Sequence, residues 1–190
     1  MYGLVNRAVQ DLVLAKHGEP VWAQIRREAG VDVEAFVAMS PYPDEITYAL
    51  VAAASRVLDV PAAQILEAFG EFWMDFSAEQ GYGHLVALLG SDLVSFLTAL
   101  DGMHERLRLS FPDLDPPSLW CTDVTPDHFV VHYDSDRPGL APFVVGLLRA
   151  AGRRFGQTVE PELVRSRDGG HHHDEFLVRL VGRTEEPDGH

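Results

Sequence analysis

The hydrophobic pattern of this 190-residue chain changes its period after residue 111, and this change limits the possible folds more than any other feature. Up to that point, apolar residues recur at the three- or four-residue spacing of amphipathic helices. Pro112, Pro116 and Pro117 then interrupt the pattern, and short apolar runs typical of strands follow. The sequence therefore predicts an α+β protein, in which a helical N-terminal subdomain packs on a C-terminal subdomain with an antiparallel sheet and helices.

Turn and capping residues divide the chain into predicted elements. Five helices are expected first: one ending near Gly18, one over 19–29, one over 45–58, one from Pro61 that closes at Gly81 and Gly83, and one over 92–109 with Ser91 as its N-cap. Strands over 118–122 and 128–133, a helix over 140–155, and strands over 158–165 and 175–181 are expected to follow. We expect one domain over 1–183, with a helical part before the break at Pro112 to Pro117 and an α+β part after it, and a disordered tail over 184–190.

Composition argues against several classes of partner. The chain carries 15 Lys plus Arg against 29 Asp plus Glu, a net charge of −14, and such an acidic surface repels nucleic acid and anionic membranes. A single cysteine, Cys121, is interpreted as a buried structural thiol and suits a reducing compartment. No signal peptide or membrane-spanning run is evident in the sequence, so we expect a cytoplasmic protein. The common nucleophile, phosphate-loop and zinc-protease motifs are also missing.

His104 is the first candidate site residue. Leu93, Leu97 and Leu100 precede it at helical spacing, so its imidazole is expected to project from an apolar stripe toward the interior. One interpretation is a core histidine that is hydrogen-bonded to a neighbour. The other is an axial ligand of a haem iron, because one imidazole in a large apolar pocket is what a five-coordinate haem requires.

A second candidate site lies at the end of the strand over 128–133. Alternation along extended chain places Tyr133, Ser135 and Arg137 on one face, where two hydroxyls and a guanidinium would suit a pair of carboxylates such as the haem propionates. The alternative is an ordinary strand end whose arginine pairs with Asp134 or Asp136.

Two further motifs have an ordinary interpretation beside a functional one. The diproline Pro116-Pro117 is typical of a rigid linker, although it could press on a flat ligand. The run His171-His172-His173-Asp174 is interpreted as a solvated loop, because three consecutive residues cannot all face one metal ion comfortably.

Four segments of the chain combine into a recognisable pattern. They are Met1–Asn6 at the start, Leu100–His104 on a helix, Pro117-Ser118 after it, and Tyr133-x-Ser135-x-Arg137 before Gly139-Leu140. This pattern closely resembles the haem nitric oxide/oxygen binding family, the H-NOX domains, which include the haem domain of the soluble guanylate cyclase β subunit. The resemblance runs from Met1 to about Arg183, and the segments 69–73 and 81–83 make cyanobacterial and cyclase-type members the most similar.

The resemblance implies a haem b group, iron protoporphyrin IX, held between a helical subdomain over about 1–60 and a haem-enclosing α+β part over about 61–183. His104 matches the proximal iron ligand of the family, and Tyr133, Ser135 and Arg137 match the residues that hold the haem propionates. Pro117 matches the proline that pushes the porphyrin out of plane. Four further positions match the lining of the haem pocket: Val5, Val9, Trp73 and Phe143.

The distal side of the pocket departs from the oxygen-binding members of the family. Those members carry a tyrosine a few residues after the arginine of the motif, and Pro142 stands at that position here. Neither Pro142 nor Val9 can donate a hydrogen bond to O₂, whereas NO binds ferrous iron strongly without one. The indole N–H of Trp73 could still reach a bound ligand.

The resemblance therefore implies a sensor that binds NO, with CO as a further candidate, and that signals when His104 is released from the iron. A histidine kinase or a cyclic-di-GMP enzyme would be the partner in trans, and the chain would have no catalytic activity of its own. Three alternatives remain open: an O₂ or redox sensor of the same fold, a haem-free interaction module, and a metalloenzyme that uses the histidines over 171–173.

Overall fold

The computed structural model describes residues 1–77, 90–111 and 113–183. The helices in this part of the chain are α1 (Gly3–His17), α2 (Glu19–Ala29), α3 (Asp44–Leu58), α4 (Ala62–Ser77), α5 (Leu93–Ser110) and α6 (Ala141–Arg154). The strands are β1 (Ser118–Thr122), β2 (His128–Asp134), β3 (Gln157–Arg165) and β4 (Asp174–Arg183), with a 3₁₀ turn over Arg167–Gly169. The predicted helix end at Gly81 and Gly83 and the predicted disordered tail over 184–190 lie outside the described residues.

The four strands form one antiparallel sheet in the order β1-β2-β4-β3. Along β2, Phe129, Val131 and Tyr133 are buried while the residues between them are not, so one face of the sheet covers the core. The predicted α+β class and every predicted strand are thus confirmed.

The start of α5 differs from the prediction in one detail. Asp92, rather than Ser91, is the N-cap: its carboxylate accepts from the backbone N–H of Ser95 at 2.9 Å. The Ser95 hydroxyl in turn accepts from the N–H of Asp92 at 3.2 Å, which completes a capping box. The prediction of Ser91 was wrong because the reciprocal pair selects the residue three positions before Ser95.

Two hydrophobic cores lie side by side. One contains residues of α1 to α4 together with Val31 and Phe36, and the other is built from α5, α6 and the inner face of the sheet. Helix α4 contributes to both, because Phe69 belongs to the first core and Met74 to the second, and Phe143 of α6 packs against both. The division into subdomains at about residue 60 stays a prediction.

Helices α4 and α6 pack with their backbones in close contact at two glycines. A Cβ atom on Gly70 would overlap the carbonyl of Phe143, and one on Gly146 would overlap the carbonyl of Glu67. Ion pairs flank this contact, between Arg149 and Glu67 at 2.6 Å and between Arg153 and Glu71 at 3.0 Å. The two glycines therefore set the spacing of the helices that form one wall of the cavity described below.

Within the described ranges no single helix is long and apolar enough to cross a membrane, although α3 and α4 taken together pass by length and composition with a bend of 114° between them.

Candidate functional site

A cavity of about 290 Å³ lies where the two cores meet. Apolar side chains from α1, α3, α4, α5, α6 and β1 form most of its wall. Among them are Val5, Val51, Leu66, Phe69, Trp73, Met74, Phe96, Leu100, Met103, Leu107, Leu119, Phe143, Val144 and Leu147. Charged or polar groups also reach it, including His104, Tyr133 and Arg137. The cavity therefore combines a large apolar surface with a few polar groups, as ligand sites commonly do.

His104 lies on the fourth turn of α5 and lines this cavity. Its Nδ1 atom is 2.8 Å from the carbonyl oxygen of Pro117. A carbonyl can only accept, so Nδ1 carries the proton and donates it, and Nε2 keeps its lone pair. Burial lowers the pKa of His104, partly offset by the hydrogen bond to Pro117, so the imidazole is neutral at pH 7. His104 thus offers a metal-binding nitrogen.

Two more side chains on the same face of α5 bind the segment that contains Pro117. The Asp101 carboxylate accepts from the backbone N–H of Leu119 at 2.9 Å, and Arg108 Nη2 donates to the carbonyl of Pro116. Asp101, His104 and Arg108 follow helical spacing, so they form one row. These two contacts cannot be predicted from the sequence, because the partners of Asp101 and Arg108 are backbone atoms, which carry no residue-type signal.

The motif at the end of β2 reaches the cavity with two of its three residues. Tyr133 and Arg137 line it, whereas Ser135 is buried beside it, 8% exposed, and accepts from the N–H of Arg137 at 3.2 Å. Burial raises the pKa of Tyr133 to about 12, so its hydroxyl stays a hydrogen-bond donor at all physiological pH values. Tyr133 and Arg137 therefore reach the cavity together, and Ser135 binds the backbone of Arg137 beside it.

Arg137 pairs with different carboxylates from those that the sequence suggested. Its Nε donates to Asp44 Oδ2 at 2.8 Å, and its Nη1 lies 3.7 Å from Asp115 Oδ2. Asp136 instead forms an ion pair with Arg167, from the turn between β3 and β4, at 3.1 Å. The predicted alternative pairing of Arg137 with Asp134 or Asp136 was therefore wrong, because those side chains lie on the opposite side of the extended chain.

Asp44, at the start of α3, also accepts from the N-terminal amine of Met1. Although partial burial raises the pKa of this carboxyl, the hydrogen bond from the amine and the charge of Arg137 outweigh that effect and lower it. The ion pair with Arg137 joins the beginning of the chain to the motif after β2. No pattern in the sequence relates residues 44 and 137, since they are 93 positions apart.

Three of the four further residues that the sequence suggested for the pocket line this cavity. Val5, Trp73 and Phe143 line the cavity. Val9 does not: it lies one turn further along α1, buried in the first core, so its assignment to the pocket was wrong. Pro142 occupies the first turn of α6 without lining the cavity, and Phe143 is the residue that presents its side chain there.

Phe143, like Pro142, offers no side-chain hydrogen-bond donor to a bound gas, because a phenyl ring has no N–H or O–H group. Three hydroxyls on the described part of the wall donate to protein acceptors, whereas the Tyr2 hydroxyl and the Trp73 N–H group also line the cavity. Thr47 donates to Asn6 at 2.6 Å, Tyr48 to the Pro138 carbonyl at 2.9 Å, and Ser77 to the Met74 carbonyl at 3.1 Å. The ring of Trp73 packs edge-on against Phe69, with 6.1 Å between ring centroids.

The profile of the haem-NO-binding family matches residues 2–163 of the chain. The chain belongs to the H-NOX family. H-NOX domains bind haem and are gas sensors rather than enzymes, which confirms the predicted family and non-catalytic character. The segments that contain His104 and Arg137 therefore indicated the family correctly from the sequence.

Solved structures share the fold of this H-NOX domain. An H-NOX protein from S. oneidensis, crystallised in the Fe(II)NO ligation state, superposes with a TM-score of 0.85 and 20% identity, covering 96% of this chain and 100% of the other. The unliganded Fe(II) H-NOX protein from K. algicida superposes with a TM-score of 0.81 and 21% identity, covering 98% and 100%.

Curated relatives are longer proteins. Soluble guanylate cyclase gcy-35 of Caenorhabditis elegans is 30% identical over 187 residues, which are 95% of this chain and 27% of that protein. Soluble guanylate cyclase gcy-31 of the same organism is 28% identical over 158 residues, 83% of this chain and 22% of that protein. The H-NOX chain spans less than a third of the length of either relative.

The residues around the cavity fit a haem group. A porphyrin needs a wide apolar surface, its iron needs one neutral nitrogen ligand, and its two propionates need donors near the rim. The aliphatic and aromatic lining, the Nε2 lone pair of His104 and the donors of Tyr133 and Arg137 supply these three features.

Proposed function

We propose that this H-NOX domain is a ferrous haem b sensor of NO, with His104 as the proximal iron ligand. The observation that carries the proposal is the hydrogen bond from His104 Nδ1 to the carbonyl of Pro117, within a cavity lined mainly by apolar side chains. It fixes the tautomer that leaves Nε2 free, and it orients the ring. When bound, haem would supply the iron that binds NO on the side opposite His104.

Tyr133, Ser135 and Arg137 would hold the propionates. Arg137 keeps a permanent positive charge near the rim, and its pairing with Asp44 positions the guanidinium. The Tyr133 hydroxyl is available as a neutral donor because burial keeps its pKa at about 12. A charged donor and neutral donors together match two adjacent carboxylates better than either kind alone. Pro117 lines the same cavity and would press on the face of the macrocycle nearest His104.

Selectivity for NO over O₂ would follow if no donor on the described part of the cavity wall reached the bound gas. Bound O₂ is partly anionic and is stabilised by a hydrogen bond, whereas NO and CO bind ferrous iron without one. Phe143 offers no donor, and the hydroxyls of Thr47, Tyr48 and Ser77 are committed to protein acceptors. With the Trp73 N–H and the Tyr2 hydroxyl out of reach of the bound gas, the pocket would hold NO and CO and would lose O₂.

Signal transmission would begin at α5. His104 would hold the haem iron, and the iron would supply the gas-binding chemistry whose effect is the release of His104; Asp101 and Arg108 would meanwhile keep α5 joined to residues 116–119. A shift of α5 would then displace Pro117 and β1 as well, because these groups form one hydrogen-bonded unit. A partner that fits one of the two arrangements better would register the change.

The partner proposed for this output is a histidine kinase or a cyclic-di-GMP enzyme in the cytoplasm. A catalytic partner is supported by the relatives, which are guanylate cyclases that extend well beyond the matched segment. The affinity of a purified partner for the NO-bound protein is compared with its affinity for the NO-free protein. The proposal requires that the two affinities differ.

One observation favours an O₂ sensor as the second candidate: the indole of Trp73 lines the cavity and carries an N–H group. Absorption spectra of the reduced protein under air and under NO separate the two functions. We expect a stable NO complex and no persistent O₂ complex. A stable O₂ complex would favour the second candidate, and a protein that binds no haem would favour an interaction module.

A further inference from the structure

A cluster of two imidazoles and a carboxylate lies on the outer face of the sheet, away from the haem cavity. The strand register places Trp120 of β1, His132 of β2 and Glu175 of β4 in one row across the sheet. His173, the last histidine of the loop before β4, folds over this row. All three potential ligands are partly buried, with side chains 13% exposed for His132, 23% for His173 and 16% for Glu175.

The nitrogen and oxygen atoms of the cluster converge on one point. His132 Nδ1 lies 2.9 Å from His173 Nε2. Glu175 Oε1 lies 3.9 Å from that His132 atom and 3.6 Å from that His173 atom. A tetrahedral Zn²⁺ site with bonds of about 2.0–2.1 Å places its ligand atoms about 3.3–3.4 Å apart, which is the middle of this range. Only a few tenths of an ångström of movement would centre the three atoms on an ion.

Neighbouring groups hold the ligands in orientations that suit a metal. His132 Nε2 lies 2.8 Å from the Thr122 hydroxyl, so when Nδ1 binds an ion the other ring nitrogen already has an acceptor for its proton. Trp120 stacks on the His132 ring, with 4.9 Å between centroids and 1° between planes. Arg165 binds Glu175 Oε1 at 3.1 Å, but its side chain is 59% exposed and can turn toward solvent.

We propose that His132, His173 and Glu175 bind a divalent transition-metal ion of the Zn²⁺ type, with the fourth position left to water. Two imidazoles and a carboxylate are a common ligand set for this ion. The assignment differs from the interpretation of residues 171–173 as a solvated loop. His171 and His172 are indeed exposed, but His173 is not, and its partners come from β2 and β4 rather than from its own loop.

Metal binding would fasten the loop between β3 and β4 to the middle of the sheet. The same loop contains Arg167, whose guanidinium donates to the carbonyl of Ser135 and lies 3.1 Å from Asp136. His132 itself is adjacent to Tyr133, which faces the haem cavity from the other side of β2. The ion would therefore stabilise the strand and the loop that support the motif at residues 133–137.

The test is a zinc titration of the ferrous haem protein, without an affinity tag and after removal of metal by a chelator, in competition with a zinc-binding dye. We expect the wild-type protein to bind one Zn²⁺ per chain. H173Q and E175Q should each weaken that binding at least tenfold, because each removes one ligand without changing the size of the side chain greatly. H172Q, in the same loop, is the matched control and should bind as the wild type does.

Retention of the haem absorption band by all three variants shows that they are folded. Two results would overturn the metal site: no zinc bound by the wild-type protein at micromolar concentrations, or equal weakening by H172Q and H173Q, which would mean that the exposed loop histidines bind zinc by themselves.

Discussion

The imidazole of His104 on α5 and the backbone carbonyl of Pro117, which lies 13 residues further along the chain, are joined by a hydrogen bond of 2.8 Å. This contact decides the tautomer of the only histidine that lines the cavity within the described residues. It also gives the diproline a second role, because Pro117 both lines the cavity and orients the candidate iron ligand.

Replacement of Arg137 by alanine is expected to weaken haem binding. The variant loses a charge-assisted pair with a propionate, which contributes about 1.5–3 kcal/mol, or roughly a tenfold to hundredfold change in affinity. Haem transfer to an acceptor protein, followed by absorption, measures the change.

Two controls separate this effect from general damage. Arg149 pairs with Glu67 outside the cavity, so Arg149→Ala should keep the wild-type affinity for haem. Asp44→Asn removes the carboxylate partner of Arg137 but keeps the guanidinium, so it should reduce the affinity for haem less than Arg137→Ala does. Wild-type haem affinity in Arg137→Ala would refute the propionate assignment.

Phe143→Tyr should give the pocket an affinity for O₂ that the wild-type protein lacks. The new hydroxyl would stand on a ring that already lines the cavity, where it can donate to the bound gas. The lifetime of the O₂ complex in air, followed by absorption, should lengthen, while NO binding changes little. A wild-type O₂ complex that persists and is lost in Trp73→Phe would instead identify the indole as the distal donor.

Gly146→Ala should destabilise the protein and disturb the pocket. Its Cβ would overlap the backbone of Glu67, so α4 and α6 must move apart, at a cost of about 1–3 kcal/mol. Gly102→Ala is the matched control, because a Cβ on Gly102 within α5 would meet only the end of the Arg106 side chain, at 3.9 Å, and alanine there should stabilise the helix by about 0.5–1 kcal/mol. Chemical unfolding measures the free energy of unfolding of each variant, which should fall for Gly146→Ala and rise for Gly102→Ala.

Asp44 should contribute a stability that disappears in acid. The N-terminal amine and Arg137 lower its pKa in the folded protein below the ordinary value of 3.8, so the unfolded chain takes up the proton more readily. The stabilisation is present above 3.8 and is lost as the pH falls through the lower folded pKa. The difference in unfolding free energy between the wild type and Asp44→Asn should therefore be constant near neutral pH and shrink below pH 3.8. A difference that does not change with pH would contradict this ion pair.

Local patterns predicted most of the elements and the family, because helices, strands and the Tyr133-x-Ser135-x-Arg137 motif depend on residues that are close in the sequence. They failed where the partner is distant or is backbone. The pairing of Arg137 with Asp44 and the cluster of His132, His173 and Glu175 exist only after the strands and helices are assembled. The sequence suggested Pro142 for the position of the family's distal tyrosine, but the neighbouring Phe143 is the residue that lines the cavity. The rotation of α6 decides which side chain faces the cavity, and the sequence does not show that rotation.

The central claim, that His104 is the iron ligand, is tested most directly by His104→Gly with and without added imidazole. Absorption spectra of the reduced protein report both the haem content and its coordination. The structure predicts that the variant retains haem with a proximal nitrogen ligand only when imidazole is supplied, since Nε2 of His104 is the nitrogen free to bind the metal. A variant that binds haem with an unchanged spectrum in the absence of imidazole would show that another residue holds the iron.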